Sequence, residues 1–231
     1  LPLILHIESS TLTCSVALAA GGKLIAQRET HDTCYSHAEK LTVFIHEVLR
    51  DVSVAAKELD AVCVASGPGS YTGLRIGVSA AKGLCYALGV PLLSVNALQS
   101  LAHQAISLLS EDERHGLRTI RPMIDARRME VYTAAFDMQG HPLTDIAAVI
   151  VDYGSFDDEL TTGPVLFVGD GAQKCGEVLT HPNARFRADI LPSAQGMFSL
   201  AEWKLAAGEM EDVAYFEPFY LKAFVAGKKA V

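Results

Sequence analysis

The order of apolar segments in this chain occurs twice, and that repetition limits the fold more than any single motif. Leu3–Glu8 is an apolar run ending in an acid; after a short polar turn comes a second run, residues 14–20, and Gly21 and Gly22 turn the chain into a third, residues 23–29. Beyond residue 116 the plan recurs: residues 123–125 end in an acid, Arg127 and Arg128 occupy the turn, residues 131–136 form the second run, and Gly140 turns toward a third. Set side by side, IESSTLTCSVAL and IDARRMEVYTAAF share this layout. Further on, VCVASGPG (residues 62–69) and VLFVGDGA (residues 165–172) each run an apolar strand into two glycines one residue apart. A repeat of this size predicts an α/β protein of two similar halves facing each other across a cleft. The polar segment SEDERHG, residues 110–116, is the clear break in composition and the expected linker, dividing the chain into 1–109 and 110–231.

Ser36 and Glu39 read as a capping box opening a helix whose apolar stripe is Leu41, Phe44, Ile45, Val48 and Leu49. Residues 61–65 read as a short buried strand leading into GPGSYTGLRIGVSAAKGL, a glycine turn followed by a helix over 72–88 that Gly89 closes. Residues 91–95 read as another strand, and Asn96 with Gln99 caps a helix running to about Leu109. The interior glycines Gly73, Gly77 and Gly83 each cost a helix roughly 1 kcal/mol relative to alanine, so something must come close enough to exclude a side chain. Only Arg75 and Lys82 are charged in this helix, on one stripe with Ser79 between them. A helix apolar or tiny on nearly all sides is either buried centrally or pressed against a partner.

Half the residues are hydrophobic and 20% are charged, as in ordinary globular chains. No apolar run approaches the roughly 18–20 residues of a membrane helix, and LPLILHIESS reads as a first strand rather than a secretion signal. The five cysteines (Cys14, Cys34, Cys63, Cys85, Cys175) form no CxxC pair and are odd in number, which fits a reducing cytoplasm. A net charge of −8 argues against a protein that grips nucleic acid unaided; Lys222, Lys228 and Lys229 are the one basic cluster.

The chemistry is thin. The glycine turn fits neither the Walker A spacing nor the dinucleotide fingerprint. Glu8 and Asp125 end equivalent strands and would point into the cleft, where carboxylates can position a metal or a water and where, with Ser9, Gly67, Gly69, Gly169 and Gly171, they could surround a nucleotide; the commoner fate of such acids is to cap a turn. No two histidines stand four apart on a helix, and no G-x-S-x-G elbow occurs, so neither a metal site nor a set of catalytic residues is expected.

The stretch GPGSYTGLRIGVSAAKGL, with IESSTLTCSVAL before it, DAR-x-x-EVY (residues 125–132) after it and PFYLK near the end, resembles the TsaB (YeaZ) family over nearly the whole chain. The resemblance implies the duplicated actin/Hsp70-like (ASKHA) ATPase fold, two similar subdomains each with a mixed sheet and helices. It implies a noncatalytic paralogue of TsaD that works with TsaD and the small ATPase TsaE in threonylcarbamoyl transfer to the adenosine beside the anticodon of tRNAs reading codons that begin with A. Contact with tRNA would come only through that complex. No cofactor would be bound directly, with ATP or ADP confined to the complex interface. The older glycoprotease naming implies a peptidase, which no residue here supports.

Carried onto this chain, the resemblance places residues 36–49 and 72–88 in a helical interface with TsaD or, in isolation, with a second copy, the two competing for one surface. Leu41, Ile45, Thr72, Ile76 and Ala80 would lie in it, Gly73 and Gly77 would allow close approach, and Arg75, Ser79 and Lys82 would form its polar stripe. Two residues depart from the family pattern: Glu8 stands where aspartate is common, and Lys222 where arginine is usual. The competing expectation is an ATP-binding and ATP-hydrolysing enzyme of the actin-like fold, using Glu8 and the two glycine turns.

Overall fold

The computed structural model describes residues 1–31 and 36–222; Cys34, Lys228 and Lys229 lie outside the described residues. Strand β1 (Leu3–Glu8) is buried on both faces, because alternate side chains of a strand point to opposite sides. Leu5 and Ile7 enter one apolar cluster and Ile4 another, with His6 and Glu8 on the side of Ile4. β2 (Thr13–Ala20) and β3 (Lys23–His31) continue antiparallel from β1, with Glu8 opposite Ser15. After α1 (His37–Asp51), strand β4 (Ala61–Gly67) pairs parallel with β1. Its run of Ala, Val and Cys without alternation is what a central parallel strand requires. Helix α2 (Tyr71–Leu88), strand β5 (Leu92–Asn96) and helix α3 (Ala97–Leu108) follow, giving the sheet order β3-β2-β1-β4-β5.

The second half repeats this plan with β6 (Thr119–Asp125), β7 (Glu130–Thr133), β8 (Ala147–Ile150), α5 (Asp157–Thr162), β9 (Val165–Val168), α6 (Ala172–Gly176) and β10 (Ala184–Arg187); α4 (Glu111–Arg114) is the single turn before them. Its order, β10-β9-β6-β7-β8, is the first order met from the other edge, with the same two antiparallel and two parallel pairings. A short 3-10 turn (Ala194–Met197) and α7 (Phe198–Ala207) end the repeat.

Three apolar layers hold these parts. α1 and α2 cover the outer face of the first sheet, where Leu41, Val48, Val78 and Ala81 meet Leu5, Ile7, Val16 and Val62. α5 and α6 cover the outer face of the second through Leu160 and Cys175 against Met123, Val131 and Phe167. Between the sheets, α3 and the segment containing α7 share one core that draws Ile4, Ala65 and Leu98 together with Ile120, Leu166 and Met197. The outer helices are 15 and 18 residues long in the first half but 6 and 5 in the second, so only the first presents an extended two-helix surface.

Several local expectations need correction. Ser36 is the N-cap of α1 but makes no side-chain cap bond; its carbonyl accepts from the amides of Glu39 and Lys40, so there is no capping box there. The expected linker is partly helical: Ser110 accepts from the Glu113 amide while Glu113 reaches back to the Ser110 amide, and α4 forms on that reciprocal cap. The second strand of the second half ends at Thr133, with Phe136 making an isolated bridge to Ile120, and the third begins only at Ala147. Asn96 caps α3 through its own side chain, accepting from Leu98 and Gln99 amides.

Candidate partner interface and adjoining cleft

Helix α2 starts where Ser70 accepts from the Gly73 amide at 3.2 Å and ends at Gly89, which adopts a left-handed φ of 69°. Gly69, Gly73 and Gly77 are four residues apart and share one face of the chain's path into and along this helix. That face lies on the turn after β1. A Cβ on Gly69 would collide with the carbonyl oxygen of Ser10, one on Gly73 with that of Ser9, and one on Gly77 with the Ser9 hydroxyl. The close approach read from these glycines is therefore made by the chain's own turn after β1, through backbone at Gly69 and Gly73 and through the Ser9 side chain at Gly77, and Gly73 and Gly77 are buried rather than turned to a partner. Leu41 and Ile45 need the same correction, being 1% and 8% exposed in the core beneath α1 and α2.

The opposite face of α2 is open. Thr72, Arg75, Ser79, Gly83 and Tyr86 are exposed at spacings of three and four, with Ile76 and Ala80 half-buried beside them. Alongside, Ala38 and Thr42 of α1 are exposed, and a groove between the helices runs from these two residues to Arg75, Ile76, Ser79 and Ala80, with His37 and Leu41 in its lining. Small side chains line much of this groove. Tyr86 is 86% exposed and Val43 of α1 49%, leaving apolar surface on both helices. Ala38, Thr42 and Tyr86 were not singled out by sequence reasoning, although the three-and-four spacing from Thr72 points to Tyr86; Gly83, read with Gly73 and Gly77 as a site of close approach, has nothing within 4 Å of its Cβ position among the described residues.

The basic members of the expected polar stripe are already engaged. Arg75 Nε donates to the Tyr220 hydroxyl at 3.3 Å, and its guanidinium lies 4.2 Å from the centre of the Tyr71 ring, which itself meets the Tyr220 ring at 4.9 Å. Lys82 Nζ donates to the carbonyls of Ala214 and Phe216 at 3.1 and 3.0 Å. The C-terminal segment thus runs along one edge of α2. It then crosses to the second half, where Lys222 pairs with Glu130.

Between the halves lies a cleft of about 460 Å³, lined among others by Ser10, Thr11, Gly69, Ser70, Asp125 and Arg127. Tyr132, Asp170 and Tyr220 also border it. Of the residues expected around a nucleotide, it brings together only Gly69 and Asp125. Glu8 and Ser9 are fully buried beneath it, and Gly67, Gly169 and Gly171 are buried where β4 and β9 give way to their turns. Gly67 and Gly169 take φ values of 106° and 104°, a left-handed backbone that explains why glycine stands at both copies of that corner.

Glu8 Oε1 accepts the Ser10 amide at 2.6 Å, while burial pushes its carboxyl up to about 7, with repulsion from Glu29 adding to the effect. Burial also raises Asp170 to about 6. Asp125 accepts from Lys174 Nζ and from the Arg127 amide, both at 2.6 Å, and its own amide donates to Asp170. Other amides around the cleft are similarly spent: Ser70 donates to the Ser10 carbonyl at 2.6 Å, and Gly171 to that of Met123 at 3.0 Å. Among the described residues no group of three or more histidine, cysteine or acidic side chains could hold a metal. None of the helices among the described residues is long and apolar enough to cross a membrane.

Two mixed sheets of matching order, with helices outside and between them, define a protein of the duplicated actin/Hsp70-like ATPase fold. The family profile of TsaD, described as tRNA N6-adenosine threonylcarbamoyltransferase, matches residues 30–216. The tRNA threonylcarbamoyladenosine biosynthesis protein TsaB of Bacillus subtilis (strain 168) is 34% identical over 170 residues, covering 72% of this chain and 70% of the relative. TsaB of Escherichia coli (strain K12) is 29% identical over 232 residues, covering 98% and 97%. The solved structure of YeaZ from Pseudomonas aeruginosa superposes with a TM-score of 0.76 at 28% identity, covering 96% of this chain and 100% of that one. The chain belongs to the TsaB (YeaZ) family, and its match to the TsaD profile fits a paralogous relationship between the two.

Proposed function

We propose that this chain is a noncatalytic subunit of tRNA threonylcarbamoyladenosine biosynthesis that binds its paralogue TsaD through the outer faces of α1 and α2. Membership of the TsaB family supports the pathway. The observation that carries the subunit role is the groove between those helices, lined in large part by the small side chains of Ala38, Thr42, Ser79 and Ala80, with exposed Val43 and Tyr86 elsewhere on the same two helices. Small residues let a second pair of helices approach closely, and apolar surface of this kind is what such packing removes from water. Thr72, Ile76, Ser79 and Ala80 would lie within the contact, with Arg75 and Lys82 at its edge. The same surface would join two copies when TsaD is absent.

In this reading the halves 1–109 and 110–231 act as subdomains of one cytoplasmic protein, TsaE joins the assembly, and TsaD supplies the chemistry of threonylcarbamoyl transfer. ATP or ADP would belong to the complex interface rather than to this chain alone. Support for that comes from the cleft: amides of Ser10, Ser70, Gly73, Asp125 and Gly171, the kind of donor that cradles phosphates, are each bound within the chain. ATP turnover by the purified chain, alone and then with TsaD, tests the reading against an actin-like ATPase. Negligible turnover alone is expected, and robust hydrolysis by the isolated chain would support the enzyme instead.

A further inference from the structure

The turn between β6 and β7 is built differently from its counterpart between β1 and β2. In the first half, Ser9 and Ser10 are buried and no residue of the turn has a positive φ. In the second, Arg127 and Arg128 are consecutive left-handed residues with φ of 71° and 52°. For residues with a Cβ that conformation costs roughly 1–2 kcal/mol each, so it persists only where the surroundings enforce it. Lys174 Nζ does so, donating to Asp125 Oδ1 at 2.6 Å and to the carbonyls of Arg128 and Glu130 at 2.7 Å. Asp125 completes the brace through the Arg127 amide.

Both arginines are exposed, and among the described residues neither guanidinium has a hydrogen bond or ion pair, whereas Arg28, Arg50, Arg121 and Arg187 each hold a carboxylate. The nearby acids are largely accounted for. Asp125 pairs with Lys174 and Glu130 with Lys222, which leaves two guanidiniums beside half-buried Asp170, whose Oδ1 accepts the Asp125 amide. Arg127 borders the cleft, where the rings of Tyr132 and Tyr220 and the hydroxyl of exposed Thr72 lie within the same lining.

We infer that Arg127 and Arg128 form a preset contact for the RNA phosphate backbone, with a neighbouring nucleoside turned toward the tyrosine-and-hydroxyl lining of the cleft. Paired guanidiniums match phosphate oxygens, aromatic rings stack on unpaired bases, and hydroxyls can bond a ribose 2′-OH. An acidic polypeptide would use the arginines but not the rest of that lining. The inference deepens the proposed function, and identification of the RNA as tRNA rests on it. The contact acts within the assembled complex, consistent with the weak hold expected of an acidic chain on its own.

The test uses the chain assembled with TsaD and an unmodified tRNA transcript, with affinity read by fluorescence anisotropy over a salt series. Arg127→Ala/Arg128→Ala is expected to weaken tRNA binding about ten-fold and to lower the slope of log affinity against log salt by about one to two. Arg127→Lys/Arg128→Lys should keep most of the slope. Thermal melting and co-sedimentation establish that the variants fold and assemble. Unchanged affinity and slope in an intact complex would overturn the inference. So would impaired assembly with unchanged tRNA affinity per complex, the mark of an acidic protein partner. Should the wild-type chain not pair with TsaD, the proposed function fails. The same comparison on the chain alone at low salt then decides the RNA contact, an equal slope for wild type and the alanine variant counting against it.

Discussion

The carbonyl oxygen of Ser9 fills the space into which a side chain at Gly73 would project. The turn after β1 is thereby pinned under α2, and the face of α2 that can meet another protein is the one turned away from Ser9. Because the obstacle is backbone, Gly73→Ala cannot be relieved by a rotamer change and should destabilise the chain by about 1–3 kcal/mol. Gly83, with nothing near its Cβ position, should gain up to about 1 kcal/mol as alanine. Urea denaturation of both variants checks this pair of opposite signs.

Glu8 should make stability depend on pH. Its carboxyl titrates near 4.5 when unfolded and about 7 when folded, so the folded chain binds the proton more tightly. The stabilisation is complete below about 4.5 and is lost as pH rises through about 7. Glu8→Gln lacks that loss and should exceed wild type by about 3 kcal/mol more at pH 8 than at pH 4. Equal differences at the two pH values, measured by denaturant unfolding, would count against a neutral buried Glu8.

Lys174 braces the strained turn at Arg127 and Arg128 through three short hydrogen bonds. Lys174→Met should cost about 2 kcal/mol of stability, since hydrogen bonds to a charged group are worth roughly 1.5–3 kcal/mol. Hydrogen exchange should show the amides of Arg127 and Glu130 losing protection before those of α2. Uniform loss across both regions would speak against a local brace.

The duplicated architecture was legible because each half repeats one order of strands, hairpin turn and glycine corner. The outward surface was harder to read. Gly73 and Gly77 announced close approach correctly, but a glycine does not say from which side the neighbour comes, and Ser9 is more than sixty positions away in sequence. Leu41 and Ile45 satisfy helical periodicity equally well as core or interface, and burial alone separates the two. Glu8 was recognised as the end of a strand, yet its register opposite Ser15 carries it beneath the cleft floor instead of into the opening. The engagement of Arg75 and Lys82 by residues 214–222 depends on a tertiary crossing with no local signal.

Ser79 lies in the groove between α1 and α2 and is exposed, so it probes the surface without disturbing the core. The decisive measurement is sedimentation of Ser79→Arg with TsaD, beside a thermal melt of the variant alone. An unpaired charge forced into a packed contact costs about 3 kcal/mol, so the expected result is an unchanged melt and affinity for TsaD lowered about 100-fold. Co-sedimentation as tight as that of wild type would contradict a partner seated on these two helices.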